Sequence, residues 1–279
     1  MTFGKSVSPH RLFTVFKYAV YALLTINVYF FFQEEFLATQ HTFSQGLVLG
    51  EIISGFAATI DTSAWLLLLL LFELETSVIS DQVLRQPKVK YGFMLARTLA
   101  YGFILYAFYG YLMKTFFTYD ISLFLVDDIC ALVGQGFSTI VTLDEYPLMD
   151  LQSCAALQGE ALMKLNDQKI IGTAAEWLAI QRLAWVDTIN SITWIAVVLM
   201  LEVDVWLQIQ GKFGGYFVSV SKFVKGTLYS ILFVAAAYWG VMGDFLDFWD
   251  AFIWLVAFFF IEMNLFQWQE ETAAGRASA

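Results

Sequence analysis

The chain has 279 residues, 59% of them hydrophobic and 18% aromatic, with only three prolines and a net charge of −10. A mean hydropathy of +0.67 over that length excludes a soluble globular domain and makes the lipid bilayer the chain's first partner. The acidic balance, with a pI near 4.6, excludes nucleic acid, whose phosphates recruit basic surfaces.

A helix needs about 20 apolar residues to cross the hydrocarbon core, and six stretches qualify: 12–33, 52–76, 91–117, 186–208, 222–243 and 247–266. Runs such as "LLLLLLF", "WIAVVLML" and "IWLVAFFF" do not alternate in polarity, which excludes a membrane β-barrel. The first stretch is longer than a signal-peptide core and lacks a small-residue cleavage site, so it is expected to be retained. After it, "FSQGLVLGEIISG" (43–55) is too long for a simple turn and is expected to form a short external or re-entrant helix.

Between the third and fourth spans lies a long insert, 118–182. Its segments "DISLFLVDDICALVGQG", "YPLMDLQSCAALQGEALMKL" and "GTAAEWLAIQRLAW" read as helical, with breaks at Gly134–Gly136, Pro147 and Gly172. Two or three short helices capping the membrane domain are predicted.

Lysines and arginines cluster before span one (Lys5, Arg11, Lys17), between spans two and three (Arg85, Lys88, Lys90) and between spans four and five (Lys212, Lys222, Lys225). Segments 34–50 and 244–250 contain none. Bases in short loops stay cytoplasmic, so both termini are expected inside and the insert outside, in a plasma or bacterial inner membrane. The only two cysteines, Cys130 and Cys154, fall in the insert. An oxidising compartment allows them to pair; the alternative is two small buried hydrophobes.

The even spans share a pattern. "DTSAWLLLLLLFELE" (61–75), "NSITWIAVVLMLEVD" (190–204) and "DAFIWLVAFFFIEMN" (250–264) each open on Asp61, Asn190 or Asp250. Trp65, Trp194 or Trp254 follows four residues on, then Glu73, Glu202 or Glu262 eight further, then Glu75, Asp204 or Asn264. Apolar helices resemble one another, but polar positions in register point to a true repeat. The odd spans carry a base followed four residues later by a tyrosine: Lys17 and Tyr21, Arg97 and Tyr101, Lys225 and Tyr229. The fold class expected is therefore all-α, six transmembrane helices as three pseudo-repeated hairpins (11–76, 91–206 and 222–266). Residues 1–117 and 183–279 form the membrane domain, and 118–182 a small helical extracytoplasmic insert.

At 100° per residue the two acids closing each motif diverge by roughly 160°, so they cannot face the same neighbour. At least one belongs inside the hydrocarbon thickness, where a carboxylate must be paired, protonated or exposed to a polar cavity. Glu73, Glu202 and Glu262 sit at the expected depth of Lys17, Arg97 and Lys225. They can be structural charge pairs locking the hairpins, or ligands for a small cation with those bases as switchable partners. The surplus acids, Glu75 and Asp204 included, favour a hard cation bound through oxygen. Asp61, Asn190 and Asp250 are outer-side polar candidates. Asp244, Asp247 and Asp250, at three-residue steps, form either a cation-attracting vestibule or a solvated turn.

Catalytic signatures are nearly absent: there is no HExxH and no phosphate loop, and His10 and His41 stand without companion ligands. Ser219 and Lys222 match a Ser-x-x-Lys spacing without its companion motifs, a chance match. No catalytic residue, metal or cofactor is assigned. Three repeats of two helices resemble the mitochondrial carriers in outline only. That family's proline–acid–base signature is missing, Pro9, Pro87 and Pro147 lie outside the spans, and no residue role carries over. The expected function is a channel or transporter-like protein for a small cation; the alternative is a non-catalytic accessory or structural subunit of a larger membrane complex. A homo-oligomer or a membrane-protein partner fits either.

Overall fold

The computed structural model describes residues 9–42, 55–79, 81–84, 86–143, 145–210, 215–242 and 245–260. Its helices are α1 (Pro9–Thr42), α2 (Ala57–Glu73), α3 (Asp81–Leu84), α4 (Pro87–Phe117), α5 (Leu151–Leu157), α6 (Ala174–Ile209), α7 (Tyr216–Met242) and α8 (245–260). In lipid a backbone must satisfy its own hydrogen bonds, which is why the apolar runs coil rather than extend. Four stretches, Phe13–Thr39, Pro87–Phe117, Ala174–Asp204 and Tyr216–Met242, are long and apolar enough to cross a membrane. On that ground the chain is a helical membrane protein.

The other two expected spans are shorter among the described residues. α2 has 17 residues and passes directly into a π-helical turn, Leu74–Val78. α8 is described to residue 260, and 261–279 lie outside the described residues, as does all but the last residue of the short helix expected over 43–55. α1 and α6 run further than the apolar pattern indicated, with 34 and 36 residues. At 1.5 Å per residue each is about 50 Å long, well beyond the hydrocarbon thickness.

α1 packs on α2, α2 on α4, α4 on α6 and α6 on α7. α8 closes on α1 through the edge-on contacts of Phe13 and Phe16 with Phe260. It meets α2 and α6 where Phe258 packs on Trp65 and Trp194. Against α7 it comes close enough that a Cβ at Gly240 would stand 3.2 Å from the Phe248 ring. Leu24, Leu69, Ile104, Val197, Leu232 and Ala257, one from each of these six helices, are buried in the common core.

The insert overturns the expectation of a purely helical cap. It contains a four-stranded sheet, β1 (Ile121–Phe124), β2 (Ser138–Thr139), β3 (Leu162–Leu165) and β4 (Ile170–Thr173), in the order β1-β3-β4-β2. β3 pairs antiparallel with β1 and β4, and β2 runs parallel to β4. Among the described residues there, helix is limited to α5, a 3-10 turn, Ile129–Leu132, and the first turns of α6 from Ala174. Both faces of this sheet are covered, so β3 and β4 read as short apolar runs without a polar alternation, and such runs mimic buried helix. Leu162 and Ile171 face Cys154, Leu157 and Ile129 on one side. Leu165 and Ile170 face Trp177 and Ile180 of α6 and Trp239 of α7 on the other. The β3–β4 hairpin turns at Asp167, whose φ of 60° is one that Asp tolerates better than most residues.

Cys130 and Cys154 are joined by a disulfide that ties the 3-10 turn to α5. The predicted helix "GTAAEWLAIQRLAW" exists, but as the first turns of α6 rather than a separate element. Thr173 and Glu176 cap its start reciprocally: the Thr173 backbone donates to Glu176 and the Glu176 backbone to Thr173 Oγ1. The cap is thus continuous with one membrane helix.

Candidate functional site

Charged and polar side chains gather in two layers, one at each end of the helix bundle. At the end away from the insert, the Lys17 ammonium lies 2.6 Å from Glu73 Oε1, and both residues are buried. The hydroxyls of Tyr18 and Tyr21 donate to the same carboxylate at 3.1 and 3.2 Å. Glu75, inside the π-helical turn, takes Arg97. On α6, Asp204 is 3.2 Å from the Lys225 ammonium and accepts from Ser221 Oγ at 2.6 Å. Glu202 accepts from the Tyr101 hydroxyl at 3.1 Å. Glu262 and Asn264 lie outside the described residues.

The pairing differs in register from one base per first acid. Lys17 meets Glu73, but Arg97 meets Glu75 rather than Glu202, and Lys225 meets Asp204. The divergence of residues two apart on a helix explains it. On both α2 and α6 the first acid turns back to a tyrosine of the preceding long helix, Tyr21 or Tyr101. The second acid turns forward to the base of the following one, Arg97 or Lys225. Lys17 joins Tyr21 on Glu73. The repeated tyrosine four residues after each base was the sequence signal for these bonds.

At the insert end the three residues that open the repeated motif, Asp61, Asn190 and Asp250, line one cavity of about 60 Å³, together with Trp65, Trp194 and Trp254. That volume holds a few water molecules. Glu34, Glu35, Asp187 and Asp247 add to its wall, and Lys114 is the base among its lining residues. Several of these carboxylates have structural duties. Glu35 caps the start of α2, accepting from the backbone of Ala58 and Thr59 at 2.8 and 3.0 Å and from Thr59 Oγ1 at 2.6 Å, which also suits the positive end of that helix. Asp250 accepts from the Asn27 amide at 2.8 Å, and Asp187 from the Trp239 indole at 3.2 Å. Asp61 Oδ1 and Asn190 Oδ1 are buried without a hydrogen-bond partner among the described residues.

Sequence pattern alone reached part of this chamber. Asp61, Asn190, Asp250 and Asp247 were visible, whereas Glu34, Glu35, Lys114 and Asp187 belong to no repeat. The over-length of α1 places Glu34 and Glu35 here, and Asp187 stands one turn before Asn190 on α6. Asp244, the third member of the Asp244–Asp247–Asp250 series, lies outside the described residues.

A second, more apolar cavity of about 280 Å³ follows along the same helices. On α2 the first cavity touches residues 58–65 and the second 65–72; on α6 the corresponding spans are 187–194 and 198–202. The two share Trp65, Trp254 and Phe258, whose rings form the partition between them. Arg97, Tyr101 and Glu202 line the second cavity at its far end.

Among the described residues no three His, Cys, Asp or Glu side chains gather closely enough to hold a metal ion. The insert-end chamber instead gathers six carboxyl groups, Lys114 and two acceptor atoms without partners among the described residues, whereas at the far end acid and base meet. No protein-family model matches the chain, and no curated protein or solved structure matches it.

Proposed function

We propose that the protein is a channel or transporter-like membrane protein that admits a small cation from the extracytoplasmic side into the chamber around Asp61. One observation carries this reading: two cavities along α2, α6 and α8 that share Trp65, Trp254 and Phe258 in their walls, the outer one rich in carboxyl groups and holding Asp61 Oδ1 without a partner among the described residues. Buried acceptors left unpaired are expensive and invite a ligand, and an acidic cleft with low-dielectric walls concentrates cations. In this reading the chain has six spans arranged as three hairpins, with both termini cytoplasmic. The pairs Lys17–Glu73, Arg97–Glu75 and Lys225–Asp204 form the inner closure that a passing cation must loosen, with Glu202 as the next carboxylate beyond the aromatic partition.

Reconstituted full-length protein in vesicles tests the proposal. Cation-selective flux above that of empty vesicles is expected, and loss of it in a folded Asp61→Asn variant. Absence of flux for every monovalent and divalent cation tried overturns it. The second reading, an accessory subunit, draws on Leu123 of edge strand β1 and Leu125 just beyond it, which remain 60% and 84% exposed. A stoichiometric membrane partner recovered on gentle purification, together with absence of flux, favours that reading.

A further inference from the structure

Resting on the cation chamber just proposed, we infer that its ligand is a cation carrying N–H donors, an ammonium group R–NH₃⁺ on at most a small apolar body, rather than a bare metal ion. Three features of the chamber point the same way.

The first is the donor set. Calcium takes six to eight oxygens and magnesium a near-octahedral shell; among the described residues no triad of acidic or His/Cys side chains is close enough to begin one. Glu35, Asp187 and Asp250 are each spent on an internal donor. What remains is a pair of separate acceptors, Asp61 Oδ1 on α2 and Asn190 Oδ1 on α6, both buried and unpartnered, with Asp61 only 8% exposed. Two acceptors on different helices match a group that donates along several directions, as an ammonium does.

The second is the wall. Trp65, Trp194 and Trp254 line the chamber beside those acceptors. Indole faces attract cations through their quadrupole, most effectively when the site is desolvated, and are the recurrent means of holding ammonium ligands. A strongly hydrated metal ion gains little from such a surface, because it would have to give up water ligands to reach it.

The third is size and charge. A cavity of about 60 Å³ admits only a few heavy atoms, and Glu34 and Asp247 supplement the field of Asp61. One charge-assisted hydrogen bond from the ligand to Asp61 Oδ1, one to Asn190 Oδ1 and an apolar face against the indoles account for the chamber's chemistry.

The test is titration of purified full-length protein with methylammonium, tetramethylammonium, potassium and calcium, read by intrinsic tryptophan fluorescence. Saturable methylammonium binding is expected, at least tenfold tighter than for the other three, and weakened tenfold or more in Asp61→Asn of unchanged elution volume. If Asp61→Asn does not fold, the ligand series on the unaltered protein still decides. Tetramethylammonium, which has no N–H, or potassium binding as tightly as methylammonium overturns the inference while leaving a cation chamber in place. So does preferential calcium binding. A chamber that answers to none of the four, in protein that also shows no cation flux, overturns both this inference and the function it rests on.

Discussion

The two ends of the helix bundle face the same physical problem and answer it differently. A carboxylate within the hydrocarbon thickness costs about 2.5–3.5 kcal/mol on insertion scales. Away from the insert the penalty is offset by opposite charge: Glu73 holds Lys17, Glu75 holds Arg97 and Asp204 holds Lys225. At the insert end it is offset by a polar cavity and by neutral donors such as Asn27, Trp239 and the backbone of Ala58 and Thr59. A salt bridge sets an opposite charge against the acid, although Asp204 still keeps Oδ1 without a partner among the described residues, whereas a neutral donor brings no opposite charge. Hence the layer with the most conspicuous acid–base pattern is suited to locking, and the layer with fewer bases is suited to binding.

The contrast is sharpest at Lys17. Removing one partner of a buried ion pair typically costs about 3–5 kcal/mol, because the other charge stays buried alone. Lys17→Met should therefore lower resistance to thermal unfolding in detergent by the largest margin of any single change considered. Lys17→Met combined with Glu73→Gln should recover most of it. A double variant as unstable as the single one would mean that the lysine's contribution is packing of its stem rather than charge, and the locking role would fall.

Next in size is the cap that stands over the chamber. Cys130 and Cys154 are 24 residues apart in sequence, and opening a loop of that length releases chain entropy worth about 3 kcal/mol. Replacing both with serine should make the insert protease-sensitive while leaving the far-end ion pairs, and hence the melting of the helices, nearly unchanged. Simultaneous loss of both would show that cap and bundle unfold as one unit. Gly172 probes their joint, where β4 enters α6: a Cβ there would meet Ile140 Cγ2 at 2.5 Å, with Glu176 Oε2 at 3.1 Å. Gly172→Ala should cost about 1–3 kcal/mol through overpacking, read as a drop in melting temperature, and should perturb the chamber because α6 also carries Asp187, Asn190 and Trp194.

How much of this was legible in the sequence depends on what makes a signal periodic. The helices were, because lipid leaves the backbone no alternative and long apolar runs announce it. The shared polar positions Asp61, Asn190 and Asp250 were visible too, since each stands four residues before a tryptophan. The cap sheet was not. Its strands are two to four residues long, too short to display a period of two, and two-sided burial of LMKL and IIGT erased the alternation. The partners of the second acids were out of reach for a different reason. Which neighbour Glu75 or Asp204 meets depends on the order of helices around the bundle, and the local pattern contains no such information. Lys114 and Asp187 entered the chamber from helix positions that no motif marks.

The smallest expected effect on stability is at Asp61, and it separates the two ends most cleanly. Asp61→Asn keeps the shape of the side chain and replaces a carboxyl group whose Oδ1 has no partner within the described residues. No buried base is stranded by the change, so stability should stay within about 1 kcal/mol of the unaltered protein, as measured by thermal unfolding. Cation binding should fall at the same time. A loss as large as that of Lys17→Met would mean that Asp61 is held by the protein as firmly as Glu73 is. The two ends would then be two versions of one lock, and the chamber would have no acceptor to offer.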